Sequence, residues 1–255
     1  MAGEIIWGVK AVREALETAA RINRIYFAKE SRADACDSLV DAARAAGAPF
    51  DFVPQAKLNA MTGVRDHQGV AAALSPAPYL TVRSFLETCP ATATVLVVDQ
   101  VQHPKNLGLL LRTAAGAGAA GVMLAARGGA LVDGAVVHAS AGAALRVPLV
   151  NCKNLAQGIR ALRDAGFWTY ALDAGAAETV FDVAWPRRCA LVVGNETAGV
   201  RPVVRKACDG AVAIPLAGGL DSLNAAVAAG VALFQVVAWR RRADQSIQRA
   251  SGGVA

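Results

Sequence analysis

Aromatic residues make up only 5% of this 255-residue chain and charged residues only 18%. What remains for a core is mostly Ala, Val, Leu and Gly, which suits closely packed α/β layers better than an aromatic-rich β-sandwich. Long apolar runs are missing too. Ala225 to Trp239 is short and contains Gln235, and Leu107 to Ala126 carries Arg112. Neither supplies the roughly 20 nearly uncharged residues of a membrane span. Glu4, Lys10, Arg13 and Glu14 interrupt the apolar centre that a secretory leader needs, so a soluble cytoplasmic protein is expected. Cys36, Cys89, Cys152, Cys189 and Cys208 have no short pair spacing, which excludes a zinc ribbon and argues against a disulfide framework. His67, His103 and His138 are equally isolated, so no metal site is expected. No repeat with a period of about 20–50 residues is visible.

Apolar material is plentiful, at 55% hydrophobic residues, which excludes disorder and allows one large or two modest domains. Charge is unevenly placed. Residues 1–92 hold ten basic and ten acidic side chains, whereas residues 93–240 hold thirteen and nine, and residues 241–255 three and one. The net +6 therefore lies in the last two-thirds and suits an anionic partner there, although mild surface basicity is the plain alternative.

The spacing predicts a small α/β unit first, with helices over 9–20 and 32–46 and strands over 22–28, 50–53 and 68–74. The stretch Ser75-Pro76-Ala77-Pro78 breaks the composition, giving a boundary after residue 75 and a linker or connecting helix over 76–92. Beyond it, strands over 95–99, 121–125, 168–171, 190–193 and 211–214 alternate with helices over 106–116, 154–165, 200–207 and 222–241. That alternation predicts a mainly parallel sheet with helices on both faces over residues 93–242. Ala225 to Trp239 is apolar almost all round, so it needs cover from the core, a second subunit or both. Residues 243–255 read as a flexible tail.

Gly116-Ala117-Gly118-Ala119-Ala120-Gly121 matches the dinucleotide-binding string, but a helix precedes it and a strand follows. The fingerprint requires the reverse order, so these glycines are expected to end a helix, and a nicotinamide-dependent dehydrogenase is the remotest alternative.

Chemistry-bearing residues gather at strand ends, where open α/β sheets bind ligands. The first cluster, Asp99 to Gly108, leads into a helix bearing Arg112; Asn106 could cap that helix and Arg112 could reach solvent. The second, Gly194-Asn195-Glu196, follows a strand directly and ends at Gly199, either a simple turn or a close backbone approach to a ligand. The third runs from Ile214 and Leu216 to Asp221, Ser222, Leu223 and Asn224. Asp221 or Ser222 would cap the last helix, while Asn224 needs partners if buried.

In order, these clusters resemble the three signature motifs of the SpoU family of RNA ribose 2′-O-methyltransferases, in the SPOUT class that includes TrmH-like enzymes. Asn106 with Gly108 and Arg112, Gly194-Asn195-Glu196 with Gly199, and Ile214-Pro215-Leu216 with Ser222-Leu223-Asn224 carry the likeness, with Ser140-Ala141-Gly142-Ala143 as a fourth match. Gly8, Ala11 to Leu16 and His67 to Ala71 are similar to the N-terminal RNA-binding domain of the bacterial 23S rRNA guanosine 2′-O-methyltransferase branch. The sequence departs from that pattern at Lys10, His103, Thr197 and Ala226.

The resemblance implies methyl transfer from S-adenosylmethionine to a ribose 2′-hydroxyl of 23S rRNA, on guanosine. It implies a homodimer whose active site draws on both subunits, and a C-terminal trefoil knot that no sequence rule predicts. It implies cofactor binding by Leu172, Gly194, Asn195, Glu196, Ile214, Leu216, Ser222 and Leu223. Catalytic roles fall to Asn106, Arg112, Glu196, Ser222 and Asn224. Arg187-Arg188, Arg201, Arg205-Lys206 and the Arg240 run are a candidate track for RNA phosphates. A tRNA methyltransferase and a non-catalytic rRNA-binding or ribosome-assembly factor remain open alternatives.

Overall fold

A computed structural model describes residues 4–18, 22–29, 34–75, 79–195 and 197–251. In chain order its elements begin β1 (Glu4–Trp7), α1 (Val9–Glu17), β2 (Ile22–Ala28), α2 (Asp34–Ala45), β3 (Phe50–Val53), α3 (Gln55–Thr62) and β4 (Val70–Leu74). Next come β5 (Leu80–Thr81), α4 (Val82–Thr88), β6 (Ala93–Val98), α5 (Pro104–Gly116), β7 (Gly121–Ala125) and α6 (Gly134–Ala139). The last are β8 (Leu149–Cys152), α7 (Leu155–Asp164), β9 (Trp168–Leu172), β10 (Arg188–Val193), α8 (Pro202–Arg205), β11 (Gly210–Val212) and α9 (Ala225–Ser251). The chain divides into two compact units that are not contiguous in sequence. One comprises Met1–Pro78, His103–Arg112 and Ala130–Val147; the other comprises Tyr79–Gln102, Thr113–Gly129 and Pro148–Ala255.

The first unit holds a four-stranded sheet in the order β1-β4-β2-β3, antiparallel except where β3 joins β2. Helix α1 buries Ala11, Val12 and Ala15, the stripe expected at helical spacing. The His67–Gly69 turn is built for this unit rather than for chemistry. His67 is 1% exposed; its Nδ1 accepts from the Gly69 N–H at 3.1 Å, so its Nε2 donates to Asn59 Oδ1 at 3.0 Å. Gln68 Oε1 then accepts from the Val9 N–H at 3.0 Å, satisfying one of the open donors at the start of α1. Helix α6 lies so close to β1 that a Cβ on Gly134 would fall 1.9 Å from the Ile5 carbonyl oxygen.

The second unit holds a seven-stranded sheet in the order β11-β9-β10-β6-β7-β8-β5, parallel at every pairing. All six residues of β6 are buried, the continuous apolar run that a covered parallel strand requires. Val95 and Val97 pack with Ile159 and Leu162 of α7, whereas the neighbouring Thr94 accepts a 2.8 Å hydrogen bond from Arg240 of α9. Full burial of each such Leu or Ile contributes about 1.5–3 kcal/mol. From β6 the chain builds outward through β7 and β8, and then returns to place β10 on the other side of β6. The switch point lies between β6 and β10. Both outermost strands are short, three residues in β11 and two in β5.

Several boundaries differ from the sequence reading. Within 76–92, read as a linker or connecting helix, α4 is such a helix, started by the Thr81–Ser84 capping box, whereas β5 was not expected and pairs with β8. Helix α9 continues past Arg242 to Ser251, where a flexible tail is expected; residues 252–255 lie outside the described residues. The glycines at 116–121 do end a helix. Gly118 is left-handed at φ 67°, and Ala119 N–H donates to the Ala114 carbonyl at 2.9 Å, closing a Schellman cap before β7.

Candidate functional site

A cleft of about 360 Å³ opens at the carboxyl ends of β9, β10 and β11. Leu172, Gly194, Asn195, Ile214, Leu216, Ser222 and Leu223 all line it, so the structure brings together seven of the eight residues expected to hold a cofactor. The eighth, Glu196, lies outside the described residues.

The wall of this cleft is a closed turn. A Cβ on Gly194 would lie 2.0–2.2 Å from backbone atoms of Gly199 and Val200, so no other residue fits there. Asn195 and Gly199 exchange backbone hydrogen bonds of 3.0 and 2.9 Å. The Asn195 side chain accepts from the Thr197 and Ala198 N–H groups at 2.9 and 3.2 Å, and its Nδ2 donates to the Gln100 carbonyl at 3.0 Å. Asn195 therefore shapes the loop through an Asx turn and ties it to the end of β6.

Two residues that open the first cluster, and that the sequence reading gave no role, hold this arrangement. Asp99 is 0% exposed and receives Arg201 three times: Nε at 2.8 Å, Nη2 at 2.7 Å and the backbone N–H at 3.0 Å. A buried carboxylate is tolerated only when paired and hydrogen-bonded in this way. Gln100 follows at φ 58°, a left-handed conformation that non-glycine residues adopt rarely. The visible signal was a charged residue directly after a strand that is apolar but for Thr94, but its partner lies 102 positions away.

At the third loop the structure corrects the expected cap. Asn224, rather than Asp221 or Ser222, starts α9: its Oδ1 accepts from the Ala226 N–H at 2.9 Å and its carbonyl from the Ala228 N–H at 2.9 Å. Asn224 is exposed rather than buried, and it does not line the cleft.

Asn106 and Arg112 belong to the other compact unit. Helix α5 begins at Pro104, a residue suited to a first helical position, so Asn106 sits inside the first turn and is not the cap. A Cβ on Gly108 would lie 2.6 Å from Ala139 Cβ, which explains the glycine. Arg112 is exposed and borders a cavity of about 260 Å³ with Lys10, Arg13, Ser140 and Ala141. Two acids at this cavity, Glu14 and Glu17, are both paired with Arg146. Ser140 is buried and bonded to the Val137 carbonyl and the Ala144 N–H, so the Ser140–Ala143 segment is a packed bend beside α1.

Much of the expected phosphate track is engaged elsewhere. Arg240 donates to Thr94 Oγ1 and to the carbonyls of Ala93, Pro186 and Arg187 at 2.8–3.3 Å. Arg188 donates to the Ala165 carbonyl at 2.7 Å and covers the Phe167 ring at 4.6 Å. Arg205 lies 3.5 Å from Asp173, and Arg201 is held by Asp99. Among the described residues, no cluster of three or more His, Cys, Asp or Glu could hold a metal, and no helix is long and apolar enough to cross a membrane.

Strand-end loops forming a glycine-walled cleft on a parallel sheet define a nucleotide-type ligand site in an α/β protein. Comparison with known proteins gives the family. The model of the SpoU rRNA methylase family matches residues 93–234, and that of RNA 2′-O ribose methyltransferase substrate-binding domains matches residues 5–80. The chain belongs to the SpoU rRNA methylase family. The 23S rRNA (guanosine-2′-O-)-methyltransferase RlmB of Xanthomonas axonopodis pv. citri is 36% identical over 239 residues, covering 92% of this chain and 96% of that protein. An uncharacterized tRNA/rRNA methyltransferase of Synechocystis sp. is 32% identical over 237 residues; the match covers 91% of this chain and 62% of the relative's length. The SpoU methyltransferase AviRb from Streptomyces viridochromogenes, solved in complex with the cofactor AdoMet, has a TM-score of 0.77 at 26% identity. That match covers 94% of this chain and 90% of AviRb.

Proposed function

We propose that this protein transfers a methyl group from S-adenosylmethionine to the ribose 2′-hydroxyl of a guanosine in 23S rRNA. The observation that carries this reading is the convergence of Leu172, Gly194, Asn195, Ile214, Leu216, Ser222 and Leu223 on one cleft, in a chain of this family. The cleft suits the cofactor. Its glycine-walled turn leaves backbone groups unobstructed by a side chain, and Leu172, Ile214, Leu216 and Leu223 offer apolar surface to an adenine. The cofactor supplies an electrophilic methyl group on a sulfonium.

The chain's own residues would bind and orient. Ser222 lies at the cleft for a polar contact, Asn224 holds the start of α9, and Glu196 is assigned to order the cofactor loop and target ribose. Asn106 and Arg112 are assigned to the target nucleotide. A guanidinium keeps its proton, so Arg112 is not the base. Its part is to bind the target phosphate and stabilise the forming alkoxide through charge-assisted hydrogen bonds.

The reading includes a homodimer, a C-terminal trefoil knot, helices on both faces of the parallel sheet and a cytoplasmic location where rRNA is made. Val227 and Phe234, seven residues apart on α9 and 53% and 50% exposed, support the homodimer. Contacts of α7 and α9 with alternate residues of β6 support two covered faces. A threaded chain is supported by β11 lying outside β9 while the next element, α9, reaches back to β6. Functionally, residues 1–75 serve as the RNA-binding domain and 93–242 as the catalytic domain.

Incubation with tritiated S-adenosylmethionine and protein-free 23S rRNA or tRNA tests the proposal. Label in rRNA, mapped by mass spectrometry to one 2′-O-methylguanosine, is the expected result. Label in tRNA alone would move the substrate, and saturable rRNA binding without label would favour an assembly factor. In single-turnover assays Arg112→Lys is expected to lose about tenfold or more in rate, because an ammonium cannot reproduce a planar two-point contact; a fully active Lys variant would refute that role.

A further inference from the structure

A second cavity, of about 370 Å³, opens at the carboxyl ends of β6, β7 and β8, across the switch point from the cleft. Among the described residues, its charged lining residues are Arg127, Lys153 and Arg201, and no carboxylate or aromatic ring lines it. Arg201 is committed to Asp99. Arg127 and Lys153 are exposed, and among the described residues neither pairs with an acid. This contrasts with Arg188 and Arg240, which donate hydrogen bonds within the unit, and with Arg205, which pairs with Asp173.

The cavity is tied to the cleft through one residue. Gln100 lines it, and the Gln100 carbonyl accepts the Asn195 amide that anchors the cofactor turn. A Cβ on Gly128 would lie 2.7 Å from Gln100 Nε2, so the bend carrying Arg127 rests directly on the Gln100 side chain. Two exposed cations with no counter-acid among the described residues attract an anion. With no ring to stack a base, the recognised group is backbone rather than nucleobase.

We propose that this cavity binds the phosphodiester backbone of the RNA substrate through Arg127 and Lys153. The proposal rests on the reading of the chain as an RNA methyltransferase. The test uses the full chain and a protein-free 23S rRNA transcript, with affinity measured by filter binding over a range of salt concentrations. Arg127→Gln with Lys153→Gln is expected to weaken rRNA binding and flatten the dependence of log affinity on log salt by about 1.4. Each single variant should give about half of that, at about 0.7 per contact with a single strand. Calorimetric S-adenosylmethionine affinity should match the parent's, because neither residue lines the cleft.

Parental rRNA affinity and salt slope in the double variant would overturn the cavity's role while leaving the methyltransferase reading intact. A parent that neither binds nor methylates rRNA would overturn both. Protection of Lys153 from acetylation by inorganic phosphate, with none by rRNA, would assign the cavity to a small anion and overturn the RNA site.

Discussion

At the amino-terminal edge of the parallel sheet, Arg240 and Arg188 spend their donors on the carbonyls of Ala93, Pro186, Arg187 and Ala165. At the carboxyl edge, Arg201 grips a buried carboxylate beside the cleft, while Arg127 and Lys153 face a cavity without an acidic partner. Basic residues thus close one edge and stand open to solvent at the other. A count of basic residues cannot separate the two uses, since what matters is whether each side chain is already engaged within the fold.

The largest effect that would sharpen this contrast is expected from Gly194→Ala. The added methyl group collides with the backbone of Gly199 and Val200, so stability should fall by about 3 kcal/mol and S-adenosylmethionine binding should vanish. Thermal melting and calorimetric titration check both; parental affinity would detach the turn from the cofactor site. Next, Asp99→Ala strands Arg201. A loss of about 2 kcal/mol is expected, below the usual range for a broken buried pair because Arg201 is 39% exposed. Cofactor affinity should fall along with it.

Arg240→Gln probes the opposite edge and should cost about 1 kcal/mol through lost hydrogen bonds, with cofactor affinity and the salt slope for rRNA unchanged. A flattened slope would break the comparison by making Arg240 an RNA contact. The smallest effect concerns Cys189 beside Arg240. Burial raises its thiol pKa, with Arg240 and Thr94 opposing. The unfolded chain therefore loses this proton first, and stability falls as pH rises past the ordinary thiol value of 9.0. Cys189→Ala should make the alkaline decline in Tm between about pH 8 and pH 10 slightly shallower than in the parent.

Much of the second unit was legible from local pattern. The mainly apolar run at β6, the helical stripe of α7 and the cap at Gly118 depend on neighbours within a few positions, and the strand-end clusters followed from them. Long-range pairing was not legible. Nothing local places β11 outside β9, joins Arg201 to Asp99 or sends Arg240 to the start of β6. Asn224 was passed over as the cap in favour of Asp221 or Ser222, although the first turn of a helix needs an acceptor wherever its entrance falls. The bend at Ser140–Ala143 matched a family pattern, but its glycine is explained by a left-handed φ of 87° and by packing against α1, since its Cβ would lie 2.3 Å from Glu14 Cβ.

The brevity of β11 and β5 has a consequence for how this protein meets its own kind. Unpaired strand borders are where chains add to one another and grow into fibres, and here those borders offer little ladder to extend. Growth of that kind is thereby disfavoured at both borders of the parallel sheet.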